Sequence, residues 1–445
     1  SRESARKLEK VIHDQLVNTE AVKILRHAIF ECCLLGCGII KGPFSTFKEI
    51  QAWQVNPEGA RNYVPYQKNI PVISAVSCWD FYPDPAATSV EDCDYVIERH
   101  KMNREQLRSL RDKPHFDLDA IDKCLEMGPN YVERGYESSI RDEDDFDTAH
   151  KSRYEVLEYW GYLDKSLSEQ LGLELPEGQD NLDSLHTNIW ICGNNILRAV
   201  VNPFTPARIP YQAVPYELNP YNFFGIGVAE NMEDAQMLMN GHMRMAIDNL
   251  VLAGNMVFDI DETSLVPGQS MEIYPGKIFR RQSGVTGQAV NGVKFPNTAN
   301  ENIQMYQVSR QLADEETGIP SIIHGQTGVT GTGRTAAGLS MLMSSAGLSI
   351  KTAIKNIDDY LLKPMGEGYF QWNMQFNEEH PDILGDLEIK PKGTAAVMQK
   401  EIRSQRLLTL LQTVANPALA PFIKIPNLVK ELAIAQDIDP DLLVN

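Results

Sequence analysis

Two long helical patterns flank a short, turn-rich segment in the middle of the chain. In the first pattern, residues 231–252, apolar side chains recur every three or four positions, as on one face of an α-helix. A second apolar row, Leu238, Met245 and Leu252, runs along another side of this helix. A helix with two apolar sides requires more than one neighbour, so we expect it to pack against another helix, an identical subunit, or both.

The second pattern, residues 298–317, places Met305, Val308 and Leu312 on one face. The segment between the helices, residues 254–297, is called the insert below. Its strand-like runs, residues 256–260, 271–274 and 277–279, are separated by Pro-Gly turns. An insert of this length is small for an independent core, so we expect it to rely on a neighbouring subunit.

A glycine-rich stretch and a long helix follow. Residues 318–334 read GIPSIIHGQTGVTGTGR and predict a loop. Apolar spacing then predicts a helix from Thr335 to Lys363, ended by Pro364. Residues 387–390 resemble a strand, and the C-terminus, residues 397–414 and 427–436, is predicted to be helical.

The N-terminal half mixes helices and strands. Residues 1–35 have helical spacing that Gly36 and Gly38 interrupt, and a strand is expected from Ile39. Residues 103–110 predict a helix, and the aromatic run at 155–163 predicts a strand. The segments 189–192 and 196–201 flank Gly193-Asn194-Asn195 and predict a hairpin. The fold class is therefore α+β and rich in helix.

Charge and cysteine content exclude several classes of protein. Sixty acidic and 41 basic residues give a formal net charge of −19, which disfavours tight DNA binding because such affinity comes mostly from neutralised phosphates. No apolar run reaches the ~18–20 residues of a membrane helix, so no membrane partner is expected. The seven cysteines form no CxxC pair, which argues against zinc and for free thiols in a reducing cytoplasm.

One loop is similar to a phosphate-binding motif. The segment from Gly328 to Thr335 fits G-x-x-x-x-G-K-[ST] except that Arg334 replaces the lysine. The preceding stretch contains Pro320 and is a poor central strand, and no strand ending in a magnesium-binding Asp follows. We therefore expect a mobile loop of small residues with one arginine, although an ATPase stays an alternative.

Nothing else in the sequence requires catalysis. The nine histidines form no HExxH or HxxxH pattern, and no G-x-S-x-G occurs. The acidic run at residues 142–147 lacks the oxygen-ligand spacing of a calcium loop. The prediction is a protein that is not an enzyme, with no cofactor and no metal.

The order of these segments resembles the portal proteins of tailed bacteriophages. Several short stretches are also similar to the portals of short-tailed phages. They are 5–9 (ARKLE), 81–86 (FYPDPA), 210–216 (PYQAVPY), 224–227 (FGIG), 239–249 (MNGHMRMAIDN), 274–277 (YPGK), and TGI at 317–319 ahead of TAAG at 335–338.

This resemblance implies the regions of a portal subunit. Residues 1–230 would form the N-terminal part of the wing and residues 335–395 its C-terminal part. The two stem helices would be residues 231–253 and 298–317, with the clip at 254–297. The tunnel loop would be residues 318–334, and the crown residues 396–445.

The resemblance also implies partners and sites. The subunit would join a homo-oligomeric ring of about twelve copies at one capsid vertex, contacting the major capsid protein, the terminase and then a tail adaptor or head completion protein. Double-stranded DNA would pass through the ring during packaging and ejection. The protein would lie in the virion, and in the host cytoplasm during assembly.

The residues implied near DNA are Gln326, Thr327, Thr330 and Arg334, with Lys351 and Lys355 facing the channel. Partner docking in the clip would involve Lys277, Arg280 and Arg281.

Two alternatives stay open from the sequence. One is a P-loop-like ATPase of the packaging motor, which the loop at Arg334 suggests. The other is a different ring-forming scaffold or adaptor.

Overall fold

The computed structural model describes residues 2–55, 61–132, 134–135, 152–173, 183–284, 286–319 and 348–377, with 383, 385, 406–407 and 431–432. The chain divides into two units. Unit 1 comprises Ser1–Glu230 and Ile350–Asn445, and unit 2 comprises Asn231–Ser349. Each is described by itself.

Two helices open unit 1, where the sequence predicts one. Helix α1 is Arg2–Asn18 and α2 is Ala21–Leu35. Glu20 separates them in the left-handed region, at φ 53°. Gly36 ends α2 at φ 85°, and a Cβ on this residue would lie 2.2 Å from the carbonyl oxygen of Gly225. The predicted break at Gly36 is confirmed, and its cause is a close backbone approach that only glycine permits.

A three-stranded antiparallel sheet follows α2. Its order is β2-β1-β8, with β1 at Cys37–Val55, β2 at Arg61–Val76 and β8 at Tyr211–Pro215. The helices pack on it through one apolar cluster of this unit. Its buried members include Ala28, Cys32, Ile40, Ile73, Val214, Leu361 and Tyr369.

A five-stranded antiparallel sheet forms the other layer of strands in unit 1, and its strands follow chain order. The predicted strand at 155–163 and the hairpin around Gly193 are both confirmed. The strands are β3 (Phe81–Pro83), β4 (Tyr95–Met102), β5 (Tyr154–Asp164), β6 (Ser184–Cys192) and β7 (Asn195–Val201).

Short helices connect and cover these strands. Asn103 caps α3 with a reciprocal side-chain and backbone pair involving Gln106, which confirms the helix predicted at 103–110. A second apolar cluster holds α3 and α4 against the sheet, with Leu107, Ile121 and Trp190 among its members. The helices are α3 (Arg104–Ser109), α4 (Leu118–Met127), α5 (Lys165–Gln170) and α6 (Val228–Asn231).

The prediction that Pro364 ends a helix is wrong. Helix α9 is Leu348–Ile357, a π-helical turn spans Asp358–Leu362, and α10 continues through Lys363–Phe376. Proline lacks a backbone N–H, but the first turn of a helix leaves its N–H groups unpaired in any case. Pro364 lies in the first turn of α10, directly after the π turn, so the backbone stays helical across the proline.

Unit 2 contains two long helices and a two-stranded sheet. Helix α7 is Glu233–Gly254 and α8 is Ala299–Thr317, which confirms both predicted helices. Strand β9 (Val257–Ile260) pairs antiparallel with β10 (Val290–Val293).

Two strand predictions in the insert are wrong, namely residues 271–274 and 277–279. The structure records neither as a strand. Just after the second segment, the backbone pairing is limited to one antiparallel bridge between Leu265 and Arg281. The Gln269 side chain supplements it, because its Oε1 accepts from Arg280 N at 2.8 Å and its Nε2 donates to Arg280 O at 2.5 Å. The actual second strand, β10, contains Asn291 and Gly292, which gave no strand signal.

Several predictions fall on residues outside the described ranges. These are the acidic run at 142–147, the glycine-rich loop from residue 320 onward, the helix between 335 and 347, and the strand at 387–390. Of the predicted C-terminal helices, only residues 406–407 and 431–432 are described, and they are helical.

The cysteines agree with a chain whose thiols are reduced. All seven are free; five are buried, whereas Cys33 and Cys78 are half-buried. Within the described ranges, every helix is too short or too polar to span a lipid bilayer.

Candidate functional site

The two long helices of unit 2 contact each other through small side chains. Ala235 and Ala246 of α7 are buried, as are Ala299, Ser309 and Ala313 of α8. Small residues let two helices approach closely. The larger apolar side chains of both helices lie outside this contact. A hydrogen bond also joins the two helices along this contact, which is called the helix seam: His242 Nδ1 lies 3.3 Å from Asn302 Oδ1.

The larger apolar residues of α7 face solvent in the single chain. Leu238, Met245 and Leu252, called the exposed row of α7, are 48%, 49% and 54% exposed. These are the residues whose spacing predicts a second neighbour for the helix. Within the part of unit 2 that is described, they remain uncovered by the chain itself.

Helix α8 repeats this arrangement. Met305, Val308 and Leu312, the exposed row of α8, all have exposed side chains. The sequence predicts them to share an apolar face, and the structure shows that this face is not the one that packs on α7. Each large apolar side chain taken out of water contributes about 1.5–3 kcal/mol, so both rows favour association with another surface.

The insert has little core of its own. Among its described residues, the buried ones are Ser264, Leu265 and Ala289. Large side chains such as Tyr274 and Ile278 are exposed, the latter by 80%. Asp261 caps a short helical turn by accepting from Thr263 N at 3.0 Å. Hydrogen bonds rather than apolar packing therefore order this segment.

The three basic residues predicted for partner docking lie close together in the insert but differ in their contacts. The ammonium of Lys277 lies 5.2 Å from the Tyr274 ring centroid and 5.4 Å from that of Phe279. The guanidinium of Arg281 donates to the carbonyl of Gly287. The backbone of Arg280 is hydrogen-bonded to the Gln269 side chain, whereas the side chain of Arg280 is exposed.

The residues predicted near DNA divide into two groups. Gln326, Thr327, Thr330 and Arg334 lie outside the described residues. Lys351 and Lys355 are one turn apart on an exposed face of α9, opposite the buried Ala353 and Asn356. The structure therefore places both lysines on one surface.

A buried ionic cluster in unit 1 was missed by sequence reasoning. Lys41 of β1 contacts Glu98 of β4 at 2.6 Å and also Glu158 of β5. Tyr211 of β8 donates to Glu98 at 2.6 Å, and His100 Nε2 lies 2.7 Å from Glu158 Oε2. Since Lys41 and Tyr211 belong to the three-stranded sheet and both glutamates to the five-stranded sheet, the cluster joins the two sheets.

The electrostatics of this cluster favour its charged form. Burial alone would raise the pKa of Glu158, but the Lys41 charge and the hydrogen bond with His100 outweigh burial and lower it to about 2. Burial would likewise lower the pKa of Lys41, but Glu158 and Glu98 raise it above 10.5. Burial and the same carboxylates raise the pKa of Tyr211 well above 10.

The same cluster has the donor set of a cation site. Ligand atoms of Glu98, His100 and Glu158 lie within 4.8 Å of one another. The Lys41 ammonium contacts both carboxylates, so a protein side chain supplies the positive charge there. One sequence signal pointed to Glu158: strict alternation puts it on the same face as the buried Tyr154, Val156 and Trp160.

Comparison with known families matches this architecture to one of them. The sequence model of the family described as the phage SU10 portal protein matches residues 54–386, about three quarters of the chain. The match includes α7, the insert, α8, α9, the five-stranded sheet and strands β2 and β8, whereas nearly all of β1 precedes it. The family is of the short-tailed-phage portal type and consists of structural proteins rather than enzymes. The chain therefore belongs to the phage SU10 portal protein family.

Proposed function

We propose that copies of this subunit form a ring at one capsid vertex and that viral DNA passes through its central opening during packaging and ejection. The observation that supports this most directly is the pair of exposed apolar rows on α7 and α8. In a ring, each row is covered by the next copy, which removes it from water. A head-to-tail contact whose rotation closes gives a ring in which every copy has both of its contact surfaces covered.

The proposed regions follow the order of the chain. Residues 231–253 and 298–317 are stem helices, and residues 254–297 are a clip that docks the terminase and then a tail adaptor. The wing, residues 1–230 and 335–395, meets the major capsid protein, and residues 396–445 form the crown. The exposed side chain of Arg280 and the aromatic-stacked Lys277 support the docking role.

The proposed channel contacts DNA weakly. A chain with a net charge of −19 repels a polyanion, so DNA stays mobile, and a few basic groups give short-lived, salt-sensitive contacts. Arg334, with Gln326, Thr327 and Thr330, is proposed for this role, as are Lys351 and Lys355. The exposed face that carries the two lysines supports their part of the proposal.

Two measurements on the purified protein test this function. Electron microscopy of assembled particles is expected to show rings with an opening wide enough for duplex DNA, whereas another ring-forming scaffold or adaptor would differ in the shape of its ring and in its channel. ATP turnover is expected at the background level in both the natural protein and Arg334→Ala. Turnover that Arg334→Ala abolishes would support the packaging ATPase instead.

A further inference from the structure

A cavity of about 290 Å³ lies at the surface of unit 1, where β4 meets α3. Its lining includes His100, Lys101 and Lys113, together with Gln106 and Ser109. Three residues with basic side chains and two with neutral polar ones give the cavity the composition of an anion site. This basic lining contrasts with the net charge of −19 of the whole chain.

The carboxylates near the cavity are already engaged with other cations. Asp80 accepts from Arg99 at 2.7 Å and lies 3.1 Å from Lys101. Glu98 and Glu158 share Lys41, as described above. Lys101 is therefore paired with Asp80, and His100 contacts Glu158, so Lys113 is the basic residue of the lining that makes no ion pair with a described residue.

Two cations beside the cavity make no ion pair with any residue that the structure describes. One is Lys113, which lines the cavity. The other is Arg198, whose buried Nε has no hydrogen-bond partner there and whose guanidinium lies 5.4 Å from the Phe116 ring centroid. Lys113 is exposed, so water can solvate its charge, but a buried polar atom normally has a protein partner, and the unpaired Nε of Arg198 therefore points to a missing hydrogen-bond acceptor.

The electrostatics agree with this geometry. Burial lowers the pKa of Lys113; Glu158 opposes this, but Lys41 and Arg198 lower it further. Burial lowers the pKa of Arg198 as well, against the opposing effect of Glu158. Both cations would gain from a negative charge placed between them and the solvent.

We infer that the cavity binds a phosphate group, with Lys113 as its principal cationic ligand and the Nε2 of Gln106 as a neutral hydrogen-bond donor, since Ser109 already donates its hydroxyl proton to Gln106 O at 2.7 Å. Arg198 is not part of the lining, but its charge acts on Lys113 and adds to the positive potential there. The phosphate belongs either to a free phosphate ion or to the backbone of nucleic acid. This inference does not depend on ring formation, because each of these residues belongs to unit 1.

The experiment titrates the full-length protein with sodium phosphate and follows its unfolding temperature and the heat of binding. Ligand that binds only the folded state raises this temperature. Sodium chloride and sodium acetate at matched ionic strength serve as controls for screening and for carboxylates. Phosphate is expected to stabilise the protein more than either salt, and equal stabilisation by all three would overturn the inference.

Variants assign the binding to the cavity. Lys113→Gln is expected to weaken phosphate binding by roughly tenfold or more, the usual effect of losing a charged hydrogen bond. Lys113→Arg keeps the charge and is expected to retain binding. The matched control is Lys123→Gln, which removes an exposed lysine of α4 that does not line the cavity. Unchanged binding in Lys113→Gln, with circular dichroism like that of the natural protein, would refute the assignment.

A competition arm identifies the source of the phosphate. Short duplex DNA is added to the natural protein and to Lys113→Gln in the presence of inorganic phosphate. If DNA displaces phosphate from the natural protein and does not bind the variant, the ligand is backbone phosphate. Phosphate binding that DNA leaves unchanged supports the free ion.

Discussion

Units 1 and 2 bury their apolar residues to different extents. Unit 1 contains apolar clusters around both of its sheets, and a buried ionic cluster at Lys41 joins them. Unit 2 places alanine and serine in its helix seam and leaves rows such as Leu238, Met245 and Leu252 in solvent. Unit 1 forms its apolar clusters within one chain, whereas unit 2 has the surface of a protein that lacks its neighbours.

This difference indicates how stability is divided in the molecule. Folding of unit 1 depends on internal contacts, so point substitutions in its centre should lower its free energy of unfolding. In the proposed ring, other copies cover the exposed rows of unit 2, so substitutions in these rows should affect assembly more than folding. The four predictions below test that division.

The largest expected effect is on the ionic cluster. Glu158→Gln keeps the shape of the side chain but leaves the buried Lys41 with one carboxylate, Glu98. Removing one partner of a buried pair costs about 3–5 kcal/mol. Because Glu98 remains, we expect the free energy of unfolding to fall by about 3 kcal/mol. Urea unfolding followed by tryptophan fluorescence measures it, since Trp160 donates to Glu158 at 2.7 Å.

The matched control is Glu155→Gln on the same strand. Glu155 alternates with the buried positions and belongs to the other face of β5. Its substitution is expected to change the free energy of unfolding by less than about 0.5 kcal/mol. Equal losses in the two variants would show that the cluster is not a special contact.

Acid is expected to break the same contact without a mutation. Folding lowers the pKa of Glu158 from 4.5 to about 2, so its contribution to stability is complete above 4.5 and is lost as the pH falls toward 2. The urea midpoint of the natural protein should therefore fall more steeply over this interval than that of Glu158→Gln. Parallel pH profiles would contradict this assignment.

A charge placed in the exposed row of α7 is expected to weaken assembly. Met245→Asp replaces the central member of the exposed row of α7 with a charge. Loss of about 1.5–3 kcal/mol per contact should raise the protein concentration needed for ring formation by about tenfold or more. Sedimentation velocity measures the assembled fraction, and thermal unfolding of the unassembled protein should change little.

Asn240→Asp is the control for this substitution. Asn240 is exposed on α7 but lies outside the exposed row, and the variant introduces the same carboxylate. It is expected to assemble like the natural protein. If both variants assemble equally poorly, added negative charge rather than the apolar row controls assembly.

The smallest expected effect concerns the connection between the two long helices. Asn249 of α7 donates to Pro296 O at 3.1 Å and accepts from Thr298 N at 2.8 Å. Asn249→Ala removes both exposed hydrogen bonds and should cost about 1 kcal/mol. Hydrogen exchange at the start of α8 should increase, with unchanged exchange in β5 of unit 1. No change in either region would show that the connection is not stabilising.

Local patterns predicted most of the elements but not the contacts between distant strands. The helices α7 and α8 follow from apolar spacing, and the end of α2 follows from Gly36. The ionic cluster was missed because its residues are far apart along the chain. Strand pairing brings Lys41 beside Tyr211 and Glu98 beside Glu158, and contact between the two sheets joins these pairs. Burial of Glu158 was predictable from alternation along β5, but its partner was not.

The insert and the π turn show a second limit. Segments 271–274 and 277–279 have strand-like composition, yet neither is a strand, and the pairing beside them is a single bridge at Arg281 that the Gln269 side chain supplements at Arg280. Pro364 is a typical helix terminator, but the π turn before it keeps the backbone helical. In both places a specific hydrogen-bond arrangement outweighs residue preference, and composition does not reveal such arrangements.

The most direct test of the account is a cryo-electron microscopy reconstruction of the assembled particle. The account predicts a closed ring with a central opening, in which the exposed rows of α7 and α8 are buried against adjacent copies. A reconstruction in which Leu238, Met245 and Leu252 remain in solvent, or a particle with no opening, would contradict it.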